Sequence, residues 1–198
     1  MLILDNLSKS FDKNLVFTDF SDSFQNNGIY KLAGPNGIGK TTLLKMIKGI
    51  VTQDRGTIAL SCGSALKHCT SYIDANNRSF LHRLTVKENL QYFLALNKQP
   101  RNTTTIEPLM EEFQIQSLLE QVFSVLSVGQ MQLISLIRGL LEQPKLLLLD
   151  EALTNIDQQR VDIIAAHLET FAKDNERIII ICSHNNLPIN ITRTVQLG

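Results

Sequence analysis

The sequence predicts an α/β fold: a sheet with an α-helical insertion between about residues 85 and 142. Three observations predict it. Residues 146–149 and 178–181 are apolar at every position, as expected of parallel strands covered on both faces. A glycine-rich loop near residue 35 joins a strand pattern to a helix pattern. In the middle of the chain, apolar residues recur at helical spacing instead.

The 198 residues suffice for one well-buried domain and are too few for two full-sized ones. Apolar residues at 43% and charged residues at 19% give ordinary globular composition, which excludes wholesale disorder. Nineteen Lys+Arg balance 19 Asp+Glu, so the basic excess usual in nucleic-acid binders is missing. The N-terminus meets Asp5 before any export signal could build an apolar core. No stretch approaches the roughly 20 apolar residues of a membrane span, so any work at a membrane runs through a partner. Cys62, Cys69 and Cys182 form no CxxC pair and are odd in number, which predicts reduced thiols in a cytosolic protein.

Along the chain, residues 16–24 and 29–33 read as strands separated by the Asn26-Asn27-Gly28 turn signal. A helix through Leu43, Leu44, Met46 and Ile47 follows the glycine loop and closes at Gly49. Residues 56–60 and 70–73 are short strands. Residues 86–96 and 106–119 each place apolar side chains on one helical face, with a polar loop at 97–105 between them. A further helix spans about 128–141, and another spans 158–173.

Gly34-Pro35-Asn36-Gly37-Ile38-Gly39-Lys40-Thr41-Thr42 fits G-x-x-x-x-G-K-[ST] between a strand and a helix. Its glycines let successive N–H groups turn inward on phosphate oxygens, and the helix start adds its positive dipole end. Lys40 reaches the β- and γ-phosphates and the Thr41 hydroxyl ligates Mg²⁺. A glycine turn that merely joined strand to helix would need neither the Lys nor the Thr.

The leucines 146–149 run into Asp150 and Glu151, at the C-terminal edge of a parallel sheet, where open α/β folds bind ligands. Asp150 can hold Mg²⁺ and Glu151 can deprotonate an attacking water. Before the 128–141 helix, Ser127 is a natural N-cap and Gly129 permits close backbone approach.

With these motifs in place, nearly the whole chain resembles the nucleotide-binding domain of ATP-binding cassette (ABC) transporters, of the small single-cassette bacterial type. GPNGIGKTT is similar to the family's Walker A loop, LSVGQ to its LSGGQ signature and LLLLDE to its Walker B strand. Residues 154–157 resemble the D-loop, with Asn155 and Asp157, and residues 84–90 resemble its LTVxENL run. His184 stands where the family has its switch histidine, and Phe11 resembles the aromatic that stacks on adenine, though it could equally be strand core.

The resemblance implies a P-loop NTPase core over residues 1–198 with a mixed sheet, an antiparallel β subdomain toward the N-terminus and an inserted helical subdomain. It implies ATP and Mg²⁺ as cofactors, and Glu151 and His184 as catalytic residues. ATP would bind to residues 34–42 of one copy and face Ser127, Val128, Gly129 and Gln130 of a second, in a head-to-tail homodimer. The dimer would power an integral membrane permease from the cytoplasmic face of the bacterial inner membrane, with no nucleic acid involved.

Departures from the pattern bear on the metal. Where the family has its Q-loop glutamine, Tyr72 is followed by Ile73-Asp74-Ala75-Asn76-Asn77, and either Asn76 or Asn77 takes that place. Gln132 and Leu133 follow the signature where arginine is common, Ala152 replaces a common proline, and Ile38 is bulkier than usual. None removes a phosphate or metal ligand, so an active ATPase is expected. Only residues 43–125 separate the phosphate loop from the signature, which leaves no room for a chromosome-maintenance coiled coil. One phosphate loop argues against the two-cassette translation factors, and the fourteen residues after His184 lead to the expectation of no accessory regulatory domain. A haem-exporter cassette of cytochrome c maturation and a non-transporting ATP-regulated clamp are the alternatives.

Overall fold

A computed structural model describes residues 1–12, 14–62, 65–76, 79–97, 106–185 and 187–198. Strands β1 (Leu2–Phe11), β2 (Asn14–Phe24) and β4 (Arg55–Leu60) form an antiparallel sheet in the order β2-β1-β4. Their inward residues, including Leu2, Leu4, Leu7 and Phe24, are fully buried.

The second sheet has β3 (Gly28–Ala33), β5 (Thr70–Asp74), β6 (Leu146–Asp150), β7 (Ile178–Cys182) and β8 (Arg193–Gln196) in the order β5-β6-β7-β3-β8. Every pairing in it is parallel. The expected mixed α/β architecture is therefore realised as two sheets, one antiparallel and one parallel. Strands β6 and β7 are buried at every position, as their unbroken apolar runs require.

Because successive strand residues point to opposite faces, the parallel sheet divides two cores. Leu146, Leu148, Ile178 and Ile180 pack with Leu43, Leu44, Met46 and Ile47 of α1 (Lys40–Lys48). Leu147, Leu149, Ile179 and Ile181 pack with α5 (Val128–Leu141) and α6 (Gln158–Lys173). Fully burying each leucine or isoleucine stabilises the fold by about 1.5–3 kcal/mol.

The helical region adds α3 (Val86–Leu96) and α4 (Ile106–Glu112). A reciprocal Thr85–Glu88 capping box starts α3. The fully buried Asn89 donates to the Leu81 and Thr85 carbonyls and accepts from the Leu81 N–H, which ties the preceding loop to the helix. The expected helix over 106–119 is shorter: α4 ends at Glu112, Gln114 is left-handed at φ 57°, and Gln116–Leu118 forms a separate 3₁₀ turn. Residues 98–105 of the expected loop lie outside the described residues.

The expectation of three free thiols is corrected. Cys62 and Cys69 are joined in a disulfide, and Cys182 is the free, buried cysteine. The short helix α2 (Leu66–Cys69) brings the two Cα atoms to 6.5 Å, a proximity that spacing alone did not reveal.

Candidate active site

The phosphate loop leaves β3 and enters α1 through Gly39, which is left-handed at φ 110° and supplies no side-chain cap. A Cβ there would approach Val16 Cγ1 at 2.6 Å and Phe17 Cζ at 2.8 Å, so both the backbone angle and the wall behind it require glycine. The first N–H groups of α1 are thus left for a ligand. Lys40 is 9% exposed and donates to the Gly34 and Pro35 carbonyls at 2.7 and 2.9 Å. Its ammonium lies over the loop with no carboxylate paired to it among the described residues.

Opposite the loop, Asp150 ends β6 and is 5% exposed. Its Oδ1 accepts from the Thr41 hydroxyl at 3.1 Å and its Oδ2 from the Tyr72 hydroxyl at 2.8 Å. Parallel pairing sets Tyr72 beside Leu148, two residues before Asp150 and therefore on the same sheet face.

Glu151 takes the left-handed conformation at φ 54°, strain of about 1–3 kcal/mol that the fold must over-determine. Its N–H donates to the Cys182 carbonyl at 2.8 Å and its carbonyl accepts from the Thr154 hydroxyl. Its Oε1 is occluded, accepts no hydrogen bond, and lies 3.5 Å from His184 Nε2. Burial, then the charges of Asp150 and Glu151, pushes the Cys182 thiol up to about 12, so it stays neutral beneath the site.

Together Asn36, Gly37, Gly39, Lys40, Thr41, Thr42, Asp150, Glu151, Cys182 and His184 line a cleft of about 330 Å³. That falls in the range of small-molecule sites. Hard oxygen donors from Thr41 and Asp150 suit Mg²⁺, which binds through one or two protein oxygens plus substrate phosphates. No cluster of three or more His, Cys, Asp or Glu residues able to hold a metal exists among the described residues.

Other expected site residues lie away from this cleft. Ser127 caps α5 in a reciprocal box with Gln130, accepting from the Gln130 N–H at 3.3 Å while its own N–H donates to Gln130 Oε1 at 2.8 Å. Val128 is 58% exposed at this end. A Cβ on Gly129 would overlap the Asn155 carbonyl oxygen, and Gln132 Oε1 accepts from the Asn155 N–H at 3.0 Å. The signature and residues 154–157 are thus joined to each other rather than to the phosphate loop. Asp157 caps α6. Desolvation pushes its carboxyl up, but hydrogen bonds from Arg160 outweigh that and hold it below its usual value.

Phe11 ends β1 45% exposed, with Lys9 Nζ 5.0 Å from its ring centre, and does not line the cleft. Asn76 is exposed and lines a neighbouring groove with Tyr72 and Arg138, so the structure does not bring it to Asp150; Asn77 lies outside the described residues. Sequence reasoning missed Tyr72 and Gln132 as site-shaping residues. Both act through neighbours far along the chain, and no local pattern marks them.

A family model described as "ABC transporter" matches residues 17–154. The chain is 32% identical to the lipopolysaccharide export system ATP-binding protein LptB of Haemophilus influenzae, over 93% of this chain and 80% of that protein. It is 34% identical to the zinc import ATP-binding protein ZnuC 2 of Aliivibrio fischeri, over 93% and 73%. It is 29% identical to the cytochrome c biogenesis ATP-binding export protein CcmA of Haemophilus influenzae, over 100% and 95%. Among solved structures, a putative ABC transporter ATP-binding protein from Pyrococcus furiosus superposes with a TM-score of 0.85 at 24% identity, covering 99% of this chain and 96% of that one; this likeness is one of fold.

Proposed function

We infer the function from an established premise: this chain belongs to the ABC transporter family of ATP-binding proteins. It is the ATPase cassette of a transporter. The observation that carries its chemistry is the meeting, in one cleft, of an uncapped helix start, the Lys40 ammonium, the Thr41–Asp150 pair and a Glu151 Oε1 that accepts no hydrogen bond and faces His184 Nε2.

Lys40 and the loop N–H groups hold the β- and γ-phosphates. Thr41 and Asp150 would hold Mg²⁺, which would supply positive charge against the phosphate oxygens. Glu151 Oε1 takes the proton of a water whose oxygen bonds to the γ-phosphorus, while the bond to the β–γ bridging oxygen breaks; the products are ADP and phosphate. His184 Nε2, beside that oxygen, orients the water and the transferred group.

The single domain spans residues 1–198, with 85–142 as its helical part. A second cassette docks head-to-tail, and the partner's signature helix presents its N-terminus to the γ-phosphate. Support comes from the separation of Ser127, Val128, Gly129 and Gln130 from the cleft of their own chain. Phe11, at the open end of β1, is proposed to stack on adenine.

No helix among the described residues is long and apolar enough to cross a membrane. The transporter relatives support a separate permease and a position at the cytoplasmic membrane face. Relatives named for lipopolysaccharide export, zinc import and cytochrome c biogenesis match similarly, so the cargo lies with the permease. A cytochrome c biogenesis export cassette is the second reading, favoured by the nearly end-to-end match to CcmA.

Glu151→Gln tests the chemistry. Turnover should fall roughly 10²–10⁴-fold, the worth of a positioned base, while ATP binding persists and a dimer accumulates in light scattering. Unchanged turnover would place the base elsewhere.

A further inference from the structure

Asp150 carries a carboxylate in a nearly closed environment, 5% exposed, with no Lys, Arg or His paired to it among the described residues. Such a group is costly to bury unless its oxygens are hydrogen-bonded. Its two oxygens are treated differently. Oδ1 faces the Thr41 hydroxyl in the cleft wall, at 3.1 Å. Oδ2 receives the Tyr72 hydroxyl from the neighbouring strand, at 2.8 Å.

We propose that Tyr72 is a positioning residue for the metal: its hydroxyl pins Asp150 Oδ2 to the sheet, so that Oδ1 is presented to the cation beside Thr41. Phenylalanine would fill the same space, so packing alone does not require this hydroxyl. Nor is the ring sunk in the core. It forms part of the wall of a second hollow of about 320 Å³, with Ile50, Asp74, Asn76 and Arg138, while its hydroxyl reaches the floor of the nucleotide cleft.

This role also accounts for a departure in the sequence. Asn76 lies in the second hollow rather than at Asp150. The orientation of the metal-side carboxylate then falls to Tyr72, four residues earlier. The inference rests on the Mg²⁺–ATP reading above and deepens it.

The test is Tyr72→Phe in the full chain, with a fluorescent ATP analogue as the probe. Losing a hydrogen bond to a charged acceptor should raise the Mg²⁺ concentration for half-maximal hydrolysis about 10-fold, with kcat at saturating Mg²⁺ near the parent's. Affinity for the analogue in EDTA should stay within about 2-fold. Mn²⁺ binding to the nucleotide complex, read by electron paramagnetic resonance, should weaken in parallel. In an Asp150→Asn background the same change should add nothing.

An unaltered Mg²⁺ requirement overturns the proposal, as does an equal loss of affinity in EDTA, which would mark Tyr72 as purely structural. Should the variant not fold, 4-fluorophenylalanine placed at position 72 fills the hydroxyl's space while removing its O–H donor; an unmoved Mg²⁺ requirement there overturns it equally. The parent protein separates the two readings: if it binds no nucleotide with Mg²⁺ present, the ATPase reading itself fails.

Discussion

Helices α1 and α5 both begin at a loop beside a glycine, yet their first turns are finished in opposite ways. At α1 the N-cap is Gly39, no side chain caps it, and Lys40 stands over the loop. At α5 a reciprocal box between Ser127 and Gln130 takes up two N–H groups, leaving those of Val128 and Gly129 outside it. A helix start attracts anions through its free donors and its dipole. The open end of α1 suits a phosphate held by its own chain. The half-closed end of α5 is stable without any ligand and can meet one already bound elsewhere. Location agrees with this contrast, because α1 opens into the cleft and α5 does not.

The contrast breaks most sharply at Gly129. Gly129→Ala drives a methyl into the Asn155 carbonyl and should cut hydrolysis about 10²–10³-fold, comparable to losing a transition-state donor. Nucleotide affinity of the isolated chain, measured by fluorescence titration, should barely change. At the other end, Lys40→Ala should weaken ATP binding about 10–100-fold, the worth of one to two charge-assisted bonds. Equal affinity losses in both variants would mean that the two ends serve one site in one chain.

Mixing sharpens the comparison further. Each variant alone is defective, but a mixed dimer contains one intact pairing of Lys40 with the partner's signature. Equal amounts of the two should recover about one quarter of parental turnover if pairing is random and head-to-tail. No recovery in a steady-state assay would refute the shared site.

Smaller effects concern the caps alone. Ser127→Ala should cost about 1 kcal/mol and lower Tm by about 2–4 °C in a calorimetric scan. The α3 box, built with Glu88, differs from the α5 box, built with Gln130, in that it titrates. Hydrogen bonds from the Thr85 N–H and then its hydroxyl hold the Glu88 carboxyl below the ordinary glutamate value of about 4.5. The folded value is depressed, so this contribution is present above about pH 4.5 and is lost as pH falls through the folded value. Glu88→Gln should therefore flatten acid-induced loss of stability slightly below pH 4.5, whereas Gln130→Glu should steepen it; urea melts across pH 3–6 read both.

The phosphate loop, the two apolar strands and the cap at Ser127 were legible because each is a local pattern read at fixed spacing. The Tyr72 bond to Asp150 was not, since it depends on β5 lying beside β6 with nearly the whole helical region between them in sequence. Strands β1 and β8 also escaped. Leu2–Phe11 carries left-handed Asn6 and register shifts that blur its alternation, and Arg193–Gln196 has a single buried residue. The Cys62–Cys69 bridge failed for a related reason, because it depends on how α2 folds back.

By itself the sequence determined most of the strands and helices, the motif of the phosphate loop and which acids stand at the sheet edge. Those properties follow from bonds and sterics within a few residues. Only the tertiary structure decided that the parallel sheet separates two cores, that Tyr72 holds Asp150, and that the signature helix turns away from its own cleft. Such relations depend on which strands become neighbours, and that is settled by burying apolar faces across the whole chain at once.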